Sequence, residues 1–328
     1  MLRAFGTRGN CLSRTLTCTG ESGDPIIVPG ESLWVDLFDP TPQEREAVKQ
    51  IFGFDPPTRE DMEEIEISSR LYQEDGGIFM TVLILSRAET DAPESQGVSF
   101  ILAKDRLLTV RYSDPQPFNT FANRAGRQVG QWPSAELILA GLLEAVIDRT
   151  ADVLEKVGGE VDQLSKQIFA TNGAANPSRD FQKILLKLGN RNDLTSKARE
   201  SLISMGRMLA FMSVTTDIKS SKEMKNHIKV MTRDVQSLAD HTTFLSNTIT
   251  FLLDAVLGVV NVEQSRIIKI FSVVAVVFLP PTLVASIYGM NFHYLPELSW
   301  SFGYPMSLGL MVVSAVLPYL YFKWRGWM

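Results

Sequence analysis

Hydrophobic and polar positions alternate in short runs over residues 25–112. Runs of this kind, separated by turn residues, are typical of β-strands. Between the first two runs, Thr41-Pro42 predicts the start of a short helix, with Thr41 as N-cap and Pro42 at the first helical position. The predicted strands are residues 32–38, 64–72, 78–85, 98–103 and 106–112. Together these elements predict a mixed sheet in an N-terminal α/β cytoplasmic domain over residues 1–132.

The period changes to that of an amphipathic helix after Pro133. Ser134 predicts the N-cap of a helix that continues to about Phe169, and a second helix is expected from Ser178 to about Met212. Residues 133–221 are therefore expected to contain a long cytoplasmic helical hairpin. Its many acidic residues fit a solvated face, and a surface that attracts divalent cations is the alternative interpretation.

A very long third helix is predicted from Lys222 to Tyr288, because this segment has no proline before Pro280 and only one glycine, Gly258. At 1.5 Å per residue such a helix is on the order of 100 Å long. No small globular domain needs that length, so we expect the helix to cross a boundary. Residues 222–289 are interpreted as a stalk helix that continues into a first transmembrane helix.

Two stripes follow the stalk helix at heptad spacing. An apolar a/d stripe, from Ile228 to Val259, predicts packing against neighbouring helices. The second stripe consists of Asp240, Asn247, Asp254 and Asn261, and its phase continues into the apolar segment as small and hydroxyl residues that lead to Thr282. A solvated surface is one interpretation. The other is that helices of several subunits surround a common axis, with Asp254, Asn261 and Thr282 facing it.

Two segments are long and apolar enough to cross a membrane, residues 270–288 and 302–322. The alternative, two buried core helices, is disfavoured because neither segment has a charged face. Residues 290–301 are then an outer loop, and residues 323–328 are a basic cytoplasmic tail. Two spans joined by one short loop do not enclose an aqueous path within one subunit, so any path needs an oligomer.

Basic residues predict the orientation of the two spans. Arg266 and Lys269 flank the first span, Lys323 and Arg325 follow the second, and the loop between the spans has no Lys or Arg. The positive-inside rule therefore places both termini in the cytoplasm of a cell whose inner (plasma) membrane holds the protein. The mitochondrial inner membrane is the alternative, because the basic N-terminal segment loosely resembles a targeting sequence.

Composition changes this picture little. The formal charge of −5 belongs almost entirely to the region before the spans, which gives no reason to expect a nucleic-acid partner. The sequence contains no Gly-rich phosphate loop, nucleophile elbow or Cys/His cluster, so we expect no enzyme and no cofactor. Cys11 and Cys18 are read as free thiols, with a disulfide or half of a metal site as the alternatives.

The turn between the spans offers chemistry suited to a cation. Gly289 allows the chain to leave the helix. Asn291 then offers a carboxamide oxygen, and several copies of it around an axis would hold hydrated Mg²⁺ through its waters, which this ion gives up reluctantly. Glu297, farther along the loop, is the only acid there that could attract cations from outside.

Together with several other motifs, this turn gives the sequence a resemblance to the CorA family of divalent-cation channels. The resemblance covers essentially the whole chain. The motifs that carry the resemblance are Gly289-Met290-Asn291, Pro296-Glu297-Leu298, Gly303-Tyr304-Pro305, residues 266–271 ahead of Pro280-Pro281-Thr282, and Pro57-Thr58-Arg59-Glu60-Asp61 with Glu64-Ile65-Glu66. The resemblance implies a funnel-shaped homopentamer in membrane lipid that conducts Mg²⁺, and also Co²⁺ or Ni²⁺, passively into the cell.

The resemblance also assigns roles to residues. It places a selectivity ring on Gly289, Met290 and Asn291, pore-lining positions on Thr282, Leu279, Ile268 and the neighbourhood of Phe271 and Ser272, a stalk carboxylate on Asp254, and a basic collar on Lys269, Lys323 and Arg325. Ordinary anchoring at the membrane interface is the other interpretation of the collar. Some family members also bind Mg²⁺ as a regulatory ligand between cytoplasmic domains. Here the matching stalk position is Val230, with Asp234 one turn away, so the regulatory residues stay unassigned.

Two other functions stay open. A proton-coupled zinc transporter of the same superfamily is the first, although the middle residue of its motif usually differs from Met290. A two-span membrane sensor without conduction is the second.

Overall fold

The computed structural model describes residues 1–8, 11–18, 28–64, 66–90, 92–128, 130–170, 177–215, 222–291 and 300–326. These residues fall into two compact units. The first lies within residues 1–175 and 182–253, and the second within residues 176–181 and 254–328. Only the second contains the two apolar segments that the sequence singles out.

A seven-stranded mixed sheet forms the centre of the first unit. Its strands are β1 (Leu2–Arg8), β2 (Cys11–Cys18), β3 (Ser32–Phe38), β4 (Leu71–Glu74), β5 (Gly77–Ser86), β6 (Glu94–Ala103) and β7 (Arg106–Arg111). They follow the order β2-β1-β3-β7-β6-β5-β4. The β3–β7 pair is parallel and the other neighbouring pairs are antiparallel. This confirms the predicted α/β class.

Two local sequence interpretations of this region need correction. The polar N-terminal segment, for which no strand was expected, forms β1 and β2. Its buried side chains include Leu2, Ala4, Phe5 and Leu12, and the ring of Phe5 stacks on Trp34 with centroids 4.2 Å apart. The strand predicted for residues 64–72 is also wrong, because residues 67–70 form a helical turn and only residues 71–74 pair with β5.

Eight helices lie in the described part of the chain. They are α1 (Pro42–Phe52), α2 (Arg59–Glu63), α3 (Ile67–Arg70), α4 (Gln116–Ala125), α5 (Ala135–Ala170), α6 (Pro177–Val214), α7 (Lys222–Tyr288) and α8 (Gly303–Trp324). Thr41 caps α1 as predicted, and it forms a capping box with Glu44. The two long helices α5 and α6, the stalk helix α7 and the terminal helix α8 confirm the predicted helical architecture.

The a/d stripe of α7 packs within the first unit. Met231, Val235, Leu245 and Ile249 are all buried, at 0–4% exposure. The Nδ1 atom of His227 lies 2.6 Å from Oε1 of Glu144 on α5, so a polar contact accompanies this apolar seam. The part of the stalk helix in the first unit therefore contacts α5 within a single chain.

A buried ion pair connects β3 to β7. Arg111 is fully buried and donates to both carboxylate oxygens of Asp36, at 3.0 Å each, and to Asp114 at 2.6 Å. Thr109 donates to the same Asp36 carboxylate and accepts a hydrogen bond from the Trp34 indole. Burial acts to lower the pKa of Arg111, but the charges and hydrogen bonds of Asp36 and Asp114 outweigh it and raise that pKa. The guanidinium therefore stays charged inside the core.

Candidate functional site

The part of α7 that lies in the second unit and the helix α8 both expose apolar side chains that the rest of the chain does not cover. The most apolar 18-residue window of α7 has a mean hydropathy of 2.3 and that of α8 has 1.6, yet only 6% of either window is buried. A core helix of a soluble protein would be mostly buried. The outward apolar surface therefore favours the membrane interpretation over that of two core helices.

One face of the α7 span is packed. Val273 is buried, and Val277, Val284 and Tyr288 are half-buried at spacings of four and seven residues, which keeps them on one side of the helix. On α8, Ser307 is buried at 7% exposure. We attribute this loss of exposure to packing between α7 and α8, which are neighbours in the same compact unit.

The opposite face of α7 carries the residues expected to line a pathway, and it is open in a single chain. Ile268 and Leu279 are 57% and 65% exposed, and Ser272 and Thr282 are exposed as well. Ile268, Ser272 and Leu279 succeed one another at intervals of four and seven, so they share one side of the helix. The structure thus brings these positions into one stripe, although the roles assigned to them stay predictions.

The hydroxyl groups of this stripe are oriented by their own helix. Thr282 Oγ1 donates to the Phe278 carbonyl at 2.7 Å, and Ser272 Oγ donates to the Ile268 carbonyl at 2.8 Å. Because each hydroxyl proton is used in this way, the oxygen lone pairs remain to accept hydrogen bonds. Both side chains can therefore accept from the water shell of a cation.

Two polar side chains continue the stripe toward the N-terminal end of the α7 segment in the second unit. Asp254 and Asn261 are both exposed, and within the described residues Asp254 has no basic side chain at salt-bridge distance. The earlier members of the same stripe, Asp240 and Asn247, belong to the first unit. Asp254 is thus a free carboxylate on the side of the helix that faces away from the apolar seam.

The turn after α7 is sterically tight. The Gly289 amide donates to the Ala285 carbonyl at 3.0 Å, and the Met290 amide donates to the Ile287 carbonyl at 3.3 Å. Gly289 does not adopt the left-handed conformation expected of a C-terminal glycine. A Cβ atom there would instead lie 3.0 Å from the Ala285 carbonyl oxygen, closer than most side chains approach. Glycine is favoured here by this close contact.

The end of the turn is open, with Met290 48% exposed and Asn291 exposed. Glu297 lies outside the described residues, so its expected role in attracting cations stays a prediction.

The expected basic collar is solvent-accessible. Lys269, Lys323 and Arg325 are all exposed, and the guanidinium of Arg325 lies 5.8 Å from the ring centroid of Tyr321. Arg266 makes only a long contact, 3.9 Å, with Glu263. The geometry of one chain fits both a collar and interface anchoring.

Comparison with known proteins identifies the family. The sequence model of the family described as "CorA-like Mg2+ transporter protein" matches residues 30–324. The chain belongs to this family. That match confirms the resemblance inferred from the motifs, and it confirms the expectation that the chain is not an enzyme, since the family consists of transporters.

Similar proteins match this family member over most or all of their length. The magnesium transport protein CorA of Yersinia pseudotuberculosis is 36% identical over 328 residues, all of both chains. The CorA of Pasteurella multocida is 37% identical over 298 residues, 90% of this chain and 92% of that one. The complete structure of the CorA magnesium transporter from Methanocaldococcus jannaschii superposes with a TM-score of 0.76 at 17% identity, over 100% of this chain and 99% of that one. At that identity the structural likeness shows the fold alone.

No regulatory metal site can be assigned to this family member. Among the residues that the structure describes, no group of three His, Cys, Asp or Glu side chains is arranged to hold a metal ion. Val230 is 50% exposed and Asp234 is half-buried.

Sequence reasoning also missed contacts between the long helices. His227 and Glu144 are 83 positions apart, and Arg191 pairs with Glu160 at 2.8 Å between α6 and α5. Neither pair has a local sequence signal, because the residues meet only after the helices pack.

Proposed function

We propose that this chain forms a homopentameric channel that carries Mg²⁺ passively into the cell across the inner (plasma) membrane. The observation that carries the proposal is the match of residues 30–324 to a family of Mg²⁺ transporters, with relatives called magnesium transport proteins over the full length of the chain. The number of subunits, five, comes from the family resemblance.

The exposure of α7 supports a pore shared between subunits. One face of its span is packed in the chain, while the face with Ser272, Leu279 and Thr282 is open. Several copies of α7 around one axis would cover that face and leave a central path. The apolar surface of α8 would then face lipid.

The outer end of the path would select by hydration. Asn291 side chains around the axis would accept hydrogen bonds from the waters of Mg²⁺, which the ion keeps because dehydration is costly. Gly289 and Met290 would complete this ring, with Gly289 holding the turn close to the helix. Glu297 would raise the local cation concentration outside.

Deeper positions would control passage. Thr282 and Ser272 would present hydroxyl oxygens to the hydrated ion, and Leu279 and Ile268 would form apolar constrictions that disfavour water and ions when narrow. Asp254, with the neutral Asn261, would then draw the cation toward the cytoplasm. Lys269, Lys323 and Arg325 would form the basic collar around the inner end.

The charge distribution sets the proposed orientation. Basic residues follow α8 and precede the α7 span, so both termini would lie in the cytoplasm and residues 290–301 outside.

Growth rescue tests the proposal. A bacterium that lacks its own Mg²⁺ uptake systems should grow in low Mg²⁺ when it expresses this chain, and the Asn291→Ala variant should fail to support growth at equal expression. The matched control is Asn190→Ala, an exposed asparagine on α6, which should rescue like the parent. Rescue by Asn291→Ala as complete as by the parent would remove the selectivity ring from the proposal.

Ion influx into liposomes that contain the purified protein identifies which ions the chain carries. Mg²⁺ influx should be fast without a proton gradient, and Co²⁺ or Ni²⁺ should compete with it. Zinc uptake that depends on a pH gradient, with no Mg²⁺ influx, would instead favour the proton-coupled zinc transporter. No flux of either ion would favour the non-conducting sensor.

A further inference from the structure

An open groove lies between the end of α6 and the first part of α7, in the first unit. Its volume is about 810 Å³. Leu209, Met212 and Ile228 contribute an apolar floor, and each is 6% exposed or less. The rim carries Lys225, Lys229 and Arg233, which are all exposed.

The three rim cations lack partners within the described part of one copy. No described carboxylate lies within salt-bridge distance of any of them. They are spaced four residues apart on α7, so adjacent like charges on this helix face repel, at a cost of about 0.2–0.5 kcal/mol per pair. A row of unpaired cations suits an acidic protein segment.

The chain itself contains such a segment. Residues 60–66 carry five acids in seven positions, and all five are exposed. The segment, here called the acidic segment, consists of Glu60, Asp61, Met62, Glu63, Glu64, Ile65 and Glu66. Glu63 pairs with Arg59 and the Asp61 carboxylate accepts from the Thr58 amide, but neither contact neutralises the whole segment. Its formal charge is opposite to that of the groove rim.

The two surfaces do not meet within one copy. None of the acids of the acidic segment that the structure describes is within salt-bridge distance of Lys225, Lys229 or Arg233. Their charge complementarity is therefore available only between copies. Because a groove and a segment are different surfaces, the contact is head-to-tail, and a head-to-tail contact generates a closed ring when the rotation closes.

We propose that the acidic segment of one copy docks on the basic groove of the next copy around the ring. This inference rests on the proposed oligomer and adds the contact that joins its cytoplasmic units. The contact needs no metal ion, and it weakens as salt screens its charges.

Zero-length cross-linking tests the contact in the unmodified full-length chain. A carbodiimide joins a lysine to a carboxylate that it touches, so oligomers assembled from isotope-labelled and unlabelled copies in detergent should give labelled–unlabelled pairs. The expected products join Lys225 or Lys229 to Glu60, Glu63 or Glu64. Their yield should fall several-fold at high salt and should not change when EDTA removes divalent cations. Products confined to single copies, or none from an intact oligomer, would overturn the inference.

Charge reversal gives a second, independent measurement. The Lys229→Glu/Arg233→Glu pair and the Glu60→Lys/Glu64→Lys pair should each lower the fraction of complete oligomers several-fold in native mass spectrometry. Combining both pairs of reversals in one chain should restore that fraction, because every reversed groove then meets a reversed segment of opposite charge on the next copy. Lys187→Glu, an exposed α6 lysine outside the groove, is the matched control.

The outcomes separate the two proposals. A parent chain that is monomeric in membranes removes the proposed channel. An oligomer that tolerates both reversals, or that the combined variant does not restore, removes only this contact. An acidic peptide from another protein, or an anionic lipid, that occupies the groove and gives no cross-link between copies would have the same consequence.

Discussion

The two compact units differ in how their side chains are buried. In the first, even a charged side chain such as Arg111 is fully buried with its partners in the same chain. In the described part of the second, Phe181, Val256 and Val273 are the buried apolar side chains, while long runs of apolar residues remain exposed. The first unit is therefore specified by contacts within one chain. The second exposes apolar surface that its own chain does not cover, as the proposed channel in lipid requires.

The largest effect on stability is expected at the buried ion pair of Asp36 and Arg111. Asp36→Ala leaves the Arg111 charge buried beside Asp114 alone, and breaking a buried pair costs about 3–5 kcal/mol. The thermal midpoint, followed by near-ultraviolet circular dichroism in detergent, should fall by about 10 °C or more.

Asp55→Ala is the control for this network. Asp55 also pairs with a cation, Lys49, but both side chains are exposed. Its removal should leave the midpoint unchanged. Equal midpoints for Asp36→Ala and the parent would contradict the view that the first unit is held by its internal network.

Packing around α5 gives the next largest effect. A Cβ atom on Gly141 would lie 2.4 Å from the Trp132 ring and 2.5 Å from Phe121. Gly141→Ala should therefore destabilise the first unit by about 1–3 kcal/mol through overpacking. Gly159→Ala on the same helix meets no atom within 4 Å and should stabilise it, by up to about 1 kcal/mol, through helix propensity. Chemical denaturation of both variants checks the opposite signs, and a loss of stability in both would refute the packing argument.

In the second unit, we expect a substitution on the exposed face of α7 to change ion influx while it leaves stability nearly unchanged. Leu279 is 65% exposed, so Leu279→Ala should change the free energy of unfolding by no more than about 0.5 kcal/mol. If Leu279 lines the proposed constriction, the same change should raise Mg²⁺ influx into liposomes, because a wider and less apolar opening admits water more readily. Leu317→Ala, at an exposed position on α8, is the control and should leave influx unchanged. Identical influx for the two variants would exclude Leu279 from the path.

The same contrast explains what the sequence could predict. The bounds of α7 follow from an unbroken helical segment, and the Thr41 cap follows from local chemistry. The contact between Asp36 and Arg111 could not be predicted, because the residues are 75 positions apart and meet only across β3 and β7. Strands β1 and β2 were missed because Arg3, Arg8 and Arg14 suggested a basic leading segment and not a sheet. The turn at Gly289 was located from its position between the spans, but the role of Asn291 depends on copies that one chain does not contain.

The smallest effect is expected at Asp148, an acidic residue of α5 whose pKa is raised in the folded protein. Partial desolvation raises the pKa of Asp148 above 3.8, the charges of Glu144, Asp152 and Asp234 add to that rise, and Arg124 opposes it. Because the folded pKa lies above the unfolded one, the contribution to stability is present below pH 3.8 and is lost as pH rises through the folded pKa. Asp148→Asn should therefore raise the thermal midpoint near neutral pH, by at most about 2 °C because the side chain is exposed, and should not raise it below the unfolded pKa. Asp162→Asn, also exposed on α5, is the matched control at neutral pH. A midpoint that falls at neutral pH in Asp148→Asn would mean that the charged carboxylate stabilises the fold. The acidic residues of α5 and α7 would then belong to the stabilising contacts within the first unit.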